Sequence, residues 1–368
     1  MNKIEIKDLK GVGDVELTLD SGQRVFVFLG TNGVGKTKIL ETLCIALLMF
    51  VENFQSSFDE WNENVAFFSS INILNSRFKF ETINYGYKEF SAQISEKSRN
   101  YYSAFVYIGA SQRSDVNNIK ESGHYIRILP PKNPKQISEL ITSTIFDGLF
   151  KKLGMSENIH DWFTERAKSV NPYQKEEDNR KTDIDSVLDG LNKIDNRIDK
   201  FLSIDGNGNV YLKIDGKERE LSELSSGFLS LVKMIQSIVS SYSAFTSEKD
   251  LLNIKGVVLI DEIESHLHLE WQVKIIPILK NLFPNTTFYI TTHSPLVLSH
   301  LNEGETYLLK KDNDGIVRSE MINSPNTRLL ENVLQDAFGV NLNQLTMENI
   351  RNIDQSKAKT KLLDLLGG

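Results

Sequence analysis

The sequence predicts an α/β protein with a parallel-sheet core, an antiparallel β-subdomain beside it and a helical insertion. Three observations predict it. First, "RVFVFLG" (24–30) is an apolar run that ends at a glycine loop and leads into the helical pattern "KTKILETLCIALLMFVENF". Second, "GVVLIDE" (256–262) and "TFYITTH" (287–293) carry the apolar runs Val257–Ile260 and Phe288–Ile290 and read as strands buried on both faces. Third, "KIEIKDL" (3–9) and "DVELTLD" (14–20) alternate instead, as half-exposed strands do, around a turn at Gly11–Gly13.

The remaining elements follow in chain order. "RFKFETINYG", "YKEFSAQI" and "AFVYIG" within 77–110 read as further strands. "PPKNPKQ" (130–136) is a proline-rich joint. After it, Ile137, Leu140, Ile141, Ile145, Leu149 and Leu153 fall on helical spacing. A polar link at 171–183 precedes a second stripe: Ile184, Val187, Leu188, Leu191, Ile194, Ile198 and Leu202. Both stripes read as core packing of a helical subdomain. Residues 203–221 carry Asp-Gly and Asn-Gly turns and read as a hairpin pair. A helix is expected over about 227–245, another over 271–283, and a strand at "TYLLKK" (306–311). From 327 the tail has helical spacing. The predicted division is 1–112 and 203–311 for the two parts of one core domain, 113–202 for the helical insertion and 312–368 for a helical tail.

Composition narrows the class. The 368 residues are 40% hydrophobic and 25% charged, an ordinary globular balance that needs no disulfide or metal staple. The single cysteine, Cys44, lies in an apolar helical run and reads as a packing residue in a reducing cytosol. The N-terminus "MNKIEIKDLKG" lacks a signal-peptide core, and the most apolar run, Leu43 to Val51, is too short to span a bilayer. A cytoplasmic protein without a membrane partner is the expectation. The net charge of −7 argues against a surface that is basic all over, so nucleic-acid binding would need a local basic groove.

The chemistry sits in four stretches. Gly30-Thr31-Asn32-Gly33-Val34-Gly35-Lys36-Thr37 satisfies G-x-x-x-x-G-K-[ST] between a strand and a helix. Its glycines let backbone N–H groups point inward as an anion nest, and the helix N-terminus adds partial positive charge. Lys36 supplies a point charge for β- and γ-phosphates, and Thr37 a hydroxyl for Mg²⁺. Asp261 closes a buried strand where a carboxylate can meet that Mg²⁺, and Glu262 can orient or deprotonate a water. His293 ends the next buried strand. The fourth stretch, "ELSSGFLSLVKMI", puts Ser225 and Gly227 at a helix start, which by itself is no more than a cap.

Together the four resemble ATP-binding-cassette ATPases. Leu224-Ser225-Ser226-Gly227-Phe228 is similar to that family's signature loop, Leu-Ser-Gly-Gly-Gln, and stands in the family's motif order. Ser225 and Gly227 match; Ser226 and Phe228 depart. The resemblance implies an ABC-ATPase head that works as a homodimer of heads. ATP would be held by Gly30, Asn32, Gly33, Val34, Gly35, Lys36, Thr37 and Lys38 of one chain and by Ser225, Ser226 and Gly227 of the other. Mg²⁺ would be held by Thr37 and Asp261, and Glu262 and His293 would be catalytic. The family's Q-loop glutamine follows a strand after the P-loop helix; Gln112 in "AFVYIGASQRSD" fits that place, as a contact to ATP and metal, with Arg113 beside it.

The branch of the family is read from departures. Transporter subunits carry Asp-Glu-Pro-Thr-Ser-Ala-Leu-Asp where this chain has "DEIESHLH": Ser265 and Leu267 match, and His268 replaces the last aspartate. The loop looks instead like the version of standalone ATPases, with Leu269 for their proline. A zinc site from His266, His268 and His293 lacks a fourth ligand in the pattern. The whole is similar to the ATPase part of the overcoming-lysogenization-defect (OLD) group and of the Septu- and retron-associated anti-phage ATPases. That resemblance implies a sensor or switch whose effector, a nuclease, is supplied in trans, because the residues after Lys311 are too few for a nuclease domain. The alternatives are a DNA-binding clamp of the RecF/SMC type, which would show steeply salt-dependent duplex affinity, a transporter subunit, which would copurify with a permease, and an inert ATP-binding scaffold, which would show no turnover.

Overall fold

In the computed structural model, residues 2–52, 54, 67–82, 88–99, 101–110, 145, 158–175, 179–327, 332, 335, 341, 344 and 347 are described. The chain forms two compact units, Met1–Asn326 and Thr327–Gly368. In the second unit the described positions 332, 335, 344 and 347 are helical.

The first unit is organised by an 11-stranded sheet. Strands β1 (Asn2–Leu9), β2 (Gly13–Leu19), β4 (Ser70–Ile73), β5 (Ser76–Thr82) and β6 (Lys88–Gln93) form its antiparallel wing. Strands β3 (Val25–Leu29), β7 (Ala104–Ile108), β11 (Gly256–Ile260), β12 (Thr287–Thr291) and β13 (Thr306–Lys311) form a parallel core in the order β13-β3-β12-β11-β7. The sequence pattern explains the division. All five residues of β3, β7 and β11 are buried, as strands covered on both faces must be, whereas β1 and β2 alternate. Helix α1 (Lys36–Leu48) leaves the glycine loop and is buried continuously from Ile39 through Leu48. Cys44 lies inside it, and burial pushes its thiol well up, which suits a packing role.

Several boundaries differ from the expectation. Helix α1 stops at Leu48 rather than running on to Phe54, because Phe50 and Glu52 exchange backbone hydrogen bonds with Tyr102 and turn the chain into a bridge. Strand β4 was not predicted; it is a four-residue strand whose pairing with β1 and β5 decides its state. In the insertion, the stripe at 137–153 lies outside the described residues except for Ile145, which is helical and buried. Helix α2 (Ile159–Lys168), capped by the Asn158 side chain, escaped notice because the fourth member of its buried face is a charged residue, Arg166. Helix α3 (Lys181–Ile194) carries the second stripe, but Ile198 and Leu202 belong to strand β8 (Ile198–Ile204). Residues four apart share a face in a helix and in a strand alike, so the spacing could not separate the two. With β9 (Val210–Ile214) and β10 (Lys217–Glu220), β8 forms a separate three-stranded sheet rather than a hairpin alone.

The insertion is bolted to helix α4 (Ser226–Phe245) by a buried polar cluster. Arg166, fully buried, donates to Asp183 at 3.1 Å and to the Ser240 hydroxyl at 2.9 Å, and stacks 4.2 Å above the Trp162 ring. Ser243 donates to the same Asp183 carboxylate at 3.0 Å. Removing one partner of such a pair typically costs about 3–5 kcal/mol, so the cluster ties the insertion to the last turns of α4. Helix α4 is long and apolar enough to cross a membrane, but 83% of its apolar window is buried within the fold, as in a core helix.

The segment predicted as a helical tail from 312 begins otherwise. Asp312–Gly315 makes a turn, and β14 (Val317–Met321) pairs antiparallel to β13 and parallel to β2, joining the core to the wing. The Asp-Gly pair at 314–315 is a hairpin signal that accounts for it.

Candidate functional site

The glycine loop is shaped by close packing. Gly30 has φ +152° and Gly35 φ +101°. A Cβ on Gly30 would meet the Leu309 carbonyl at 2.8 Å, and one on Gly35 would meet Val12 Cγ2 at 2.6 Å. No other residue fits both demands. Val12 sits in the turn between β1 and β2, whose carbonyl also accepts from Lys311 at 2.8 Å, so that turn is a support of the loop. The sequence showed only the turn.

Lys36 is buried at the first position of α1. Its ammonium donates to the Gly30 carbonyl at 2.8 Å and the Thr31 carbonyl at 3.1 Å, which lays it along the loop. Burial pulls its pKa down to about 8, against the opposing pull of Glu264, Asp261 and Glu262. An anionic ligand in the nest would favour the ammonium and raise its pKa again. Asn32 and Gly33 are exposed at the tip, and Val34 is buried beneath it. The Lys38 side chain points elsewhere, into an ion pair with Glu41 at 2.7 Å and over the Phe67 ring, leaving only its backbone N–H to the loop.

The acidic pair lies beside the loop. The Thr37 hydroxyl is 3.1 Å from each oxygen of Asp261, at the end of β11. A hydroxyl and one carboxylate, with phosphate oxygens and waters to complete the shell, is the donor set Mg²⁺ accepts. Among the described residues no group of three or more His, Cys, Asp or Glu side chains could hold a metal, so His266, His268 and His293 make no zinc site. Glu262 follows with φ +49°, a conformation that costs a non-glycine residue about 1 kcal/mol or more. Its N–H is held by the Thr291 hydroxyl at 2.8 Å, and the Ser265 hydroxyl donates to its carboxylate at 3.2 Å. Thr291 in turn donates to Asp261 at 2.6 Å. One threonine therefore clamps both acids. Sequence reasoning missed it, although "ITTH" was the available signal.

His293, half-buried, follows β12 next to this clamp. Its backbone N–H donates to Glu264 at 2.6 Å, and the Thr292 hydroxyl donates to the other oxygen of the same carboxylate at 2.7 Å. The structure thus brings together Lys36, Thr37, Asp261, Glu262 and the His293 loop. Gln112 and Arg113 lie outside the described residues.

Of the three residues expected to form the signature loop, the two serines face outward. Ser225 and Ser226 are exposed; Ser225 caps α4 by accepting from the Phe228 N–H at 3.3 Å. The Ser226 hydroxyl is 3.3 Å from His268 Nε2. Gly227 lies under the His268 ring, where a Cβ would come within 2.6 Å of Cδ2. Helix α5 (Leu269–Leu282) starts at this point with Leu269 exposed, and Trp271 meets Phe228 at 6.0 Å.

Comparison with known proteins places this geometry. Residues 25–299 match the family described as "AAA domain, putative AbiEii toxin, Type IV TA system". The chain belongs to this family. It is an ATPase family, and proteins similar to this chain carry defence names. A Septu protein PtuA of Bacillus mycoides (strain KBAB4) is 24% identical over 85% of this chain and 41% of its own length. A second Septu protein PtuA, from Bacillus thuringiensis, is 24% identical over 91% of this chain and 84% of its own. A protein of Vibrio cholerae serotype O1 biovar El Tor named "Retron Vc95 probable ATPase" is 28% identical over 61% of this chain and 43% of its own. The chain thus spans less than half the length of two of these three relatives. Among solved structures, an SMC head domain from Thermotoga maritima is similar at TM-score 0.40 and 15% identity, over 87% of this chain and 98% of that one.

Proposed function

We propose that this chain is the ATP-driven switch of a cytoplasmic anti-phage complex, closing as a dimer of heads on ATP and controlling an effector, a nuclease, supplied in trans. The observation that carries it is the split between the two halves of the site. The loop, Lys36, Thr37 and Asp261 are assembled within one chain. Ser225 and Ser226 are spent on no internal ligand site and stand exposed at a helix N-terminus, ready for an anion brought by a second copy. The Septu and retron names of the relatives support the defence setting.

The chemistry follows from the residues. The nest and Lys36 hold the β- and γ-phosphates; Thr37 and Asp261 would hold Mg²⁺. Bound there, Mg²⁺ neutralises charge on the phosphate oxygens. Glu262 takes a proton from the water that attacks the γ-phosphorus, the bond to the ADP oxygen breaks, and His293 stabilises the charge on the transferred group. Release of phosphate removes the ligand shared with the partner's Ser225, and the dimer opens.

Glu262→Gln with Mg-ATP tests this in one preparation. Turnover should drop about 10²- to 10⁴-fold, and sedimentation should show an ATP-dependent dimer. Unchanged turnover together with a monomer in ATP would overturn the proposal.

A further inference from the structure

Glu264 has no role in the reading above, yet its carboxylate is held at the site by two short hydrogen bonds. Both of its oxygens are engaged, one by the His293 N–H at 2.6 Å and one by the Thr292 hydroxyl at 2.7 Å. The Thr292 hydroxyl also accepts from the Ser294 N–H at 3.0 Å. The loop is gripped on its other side by Ser294, which donates to Gln272 at 2.7 Å, while Gln272 donates to the Leu267 carbonyl at 2.8 Å. The two Glu264 contacts join the segment after β11 to the segment after β12, and the Ser294–Gln272 bond ties the latter to α5. Bonds to an ionised acceptor are roughly twice as strong as neutral ones, so the Glu264 contacts dominate the grip.

From this geometry we infer that Glu264 is a positioning residue: its carboxylate sets the His293 backbone, and so the His293 side chain, in register with Glu262. The two acids are two residues apart on one short segment. Glu262 is fixed to the end of β12 through Thr291, and Glu264 fixes His293 to the same segment. The catalytic base and the histidine are therefore placed by one rigid piece. A misplacement of about 1 Å in such an arrangement can cost about 10²-fold in rate. A competing role exists, because the Glu264 charge also acts on Lys36.

The inference rests on the ATPase reading, and the test separates the two. Turnover and ATP affinity are measured for Glu264→Ala, Glu264→Gln, His293→Ala and the Glu264→Ala/His293→Ala double variant. The His293 ring resonance is followed by NMR in the first two. Glu264→Ala should lower kcat about 10- to 100-fold with ATP affinity within a few-fold of the parent, and should move the His293 resonance. Glu264→Gln keeps an oxygen for the His293 N–H and should recover most of the rate. The double variant should be no slower than His293→Ala. If Glu264→Gln is as slow as Glu264→Ala, or if ATP affinity falls with the rate, the charge on Lys36 is the role and the inference is overturned. Additive losses, or an unmoved His293 resonance, overturn it as well. If His293→Ala keeps full turnover, the catalytic assignment of His293 fails too; if Glu262→Gln also turns over normally, the ATPase mechanism itself fails.

Discussion

In the function proposed above, the Lys36–Asp261 region and the Ser225–Gly227 region would meet the same phosphate, and the chain satisfies their polar groups in opposite ways. In the first, each polar group already has a partner inside the chain: Lys36 on two carbonyls, Thr37 on Asp261, Asp261 on Thr291, Glu264 on His293. In the second, Ser225 satisfies only its own helix, and Ser226 leans on an exposed histidine. The difference teaches where each half is finished. A buried polar group must be satisfied at folding, so the first half is built whole. An exposed helix N-terminus can leave its donors to water until an anion arrives.

That contrast can be broken from either side. Lys36→Ala should have the largest effect, because charge-assisted phosphate contacts contribute about 1.5–3 kcal/mol each. ATP affinity should fall about 100-fold or more by calorimetry, in the single chain and in any dimer alike. Ser225→Glu puts a carboxylate where a partner's γ-phosphate would come. Turnover should fall about 10²-fold, while ATP affinity measured at concentrations too low for pairing stays at the parent value. The lost cap should cost about 1 kcal/mol of stability, seen as a small drop in Tm. If Ser225→Glu instead weakened ATP binding to the lone chain, the two regions would be parts of one internal site.

Thr291→Val sharpens the picture within the first region. It removes the clamp on Asp261 and Glu262 and should lower Mg-dependent turnover about 10- to 100-fold, with little change in ATP binding.

The pH effect should be the smallest. Burial holds free Lys36 near a pKa of about 8, and the ammonium is the form that binds phosphate. ATP affinity should therefore be flat below pH 8 and fall as pH rises above it, by at most about tenfold per unit for one proton. In Lys36→Ala that fall should vanish.

How much of this was legible follows the same division. The loop, Asp261, Glu262 and His293 could be placed because each follows a short buried strand, and such strands have one structural meaning in a sheet covered on both faces. Thr291 and Glu264 could not, because their contacts depend on the parallel pairing of β11 with β12, which no local pattern shows. Val12 is legible only as a turn residue; its place against Gly35 is a matter of packing. Helix α2 was hidden by the buried charge of Arg166, whose partners Asp183 and Ser240 are far along the sequence. Strand β14 was hidden behind a tail that otherwise has helical spacing.

The central claim is that one ATP needs two chains, and a mixing experiment tests it most directly. In a Glu262→Gln background, one tagged chain carries Lys36→Ala and a differently tagged chain carries Ser225→Glu. Only the mixed pair can form a site with an intact Lys36 and an intact Ser225. The account predicts that each variant alone stays monomeric with Mg-ATP and that the mixture yields a heterodimer captured through both tags. Equal pairing of each variant with itself, or no heterodimer in the mixture, would contradict it.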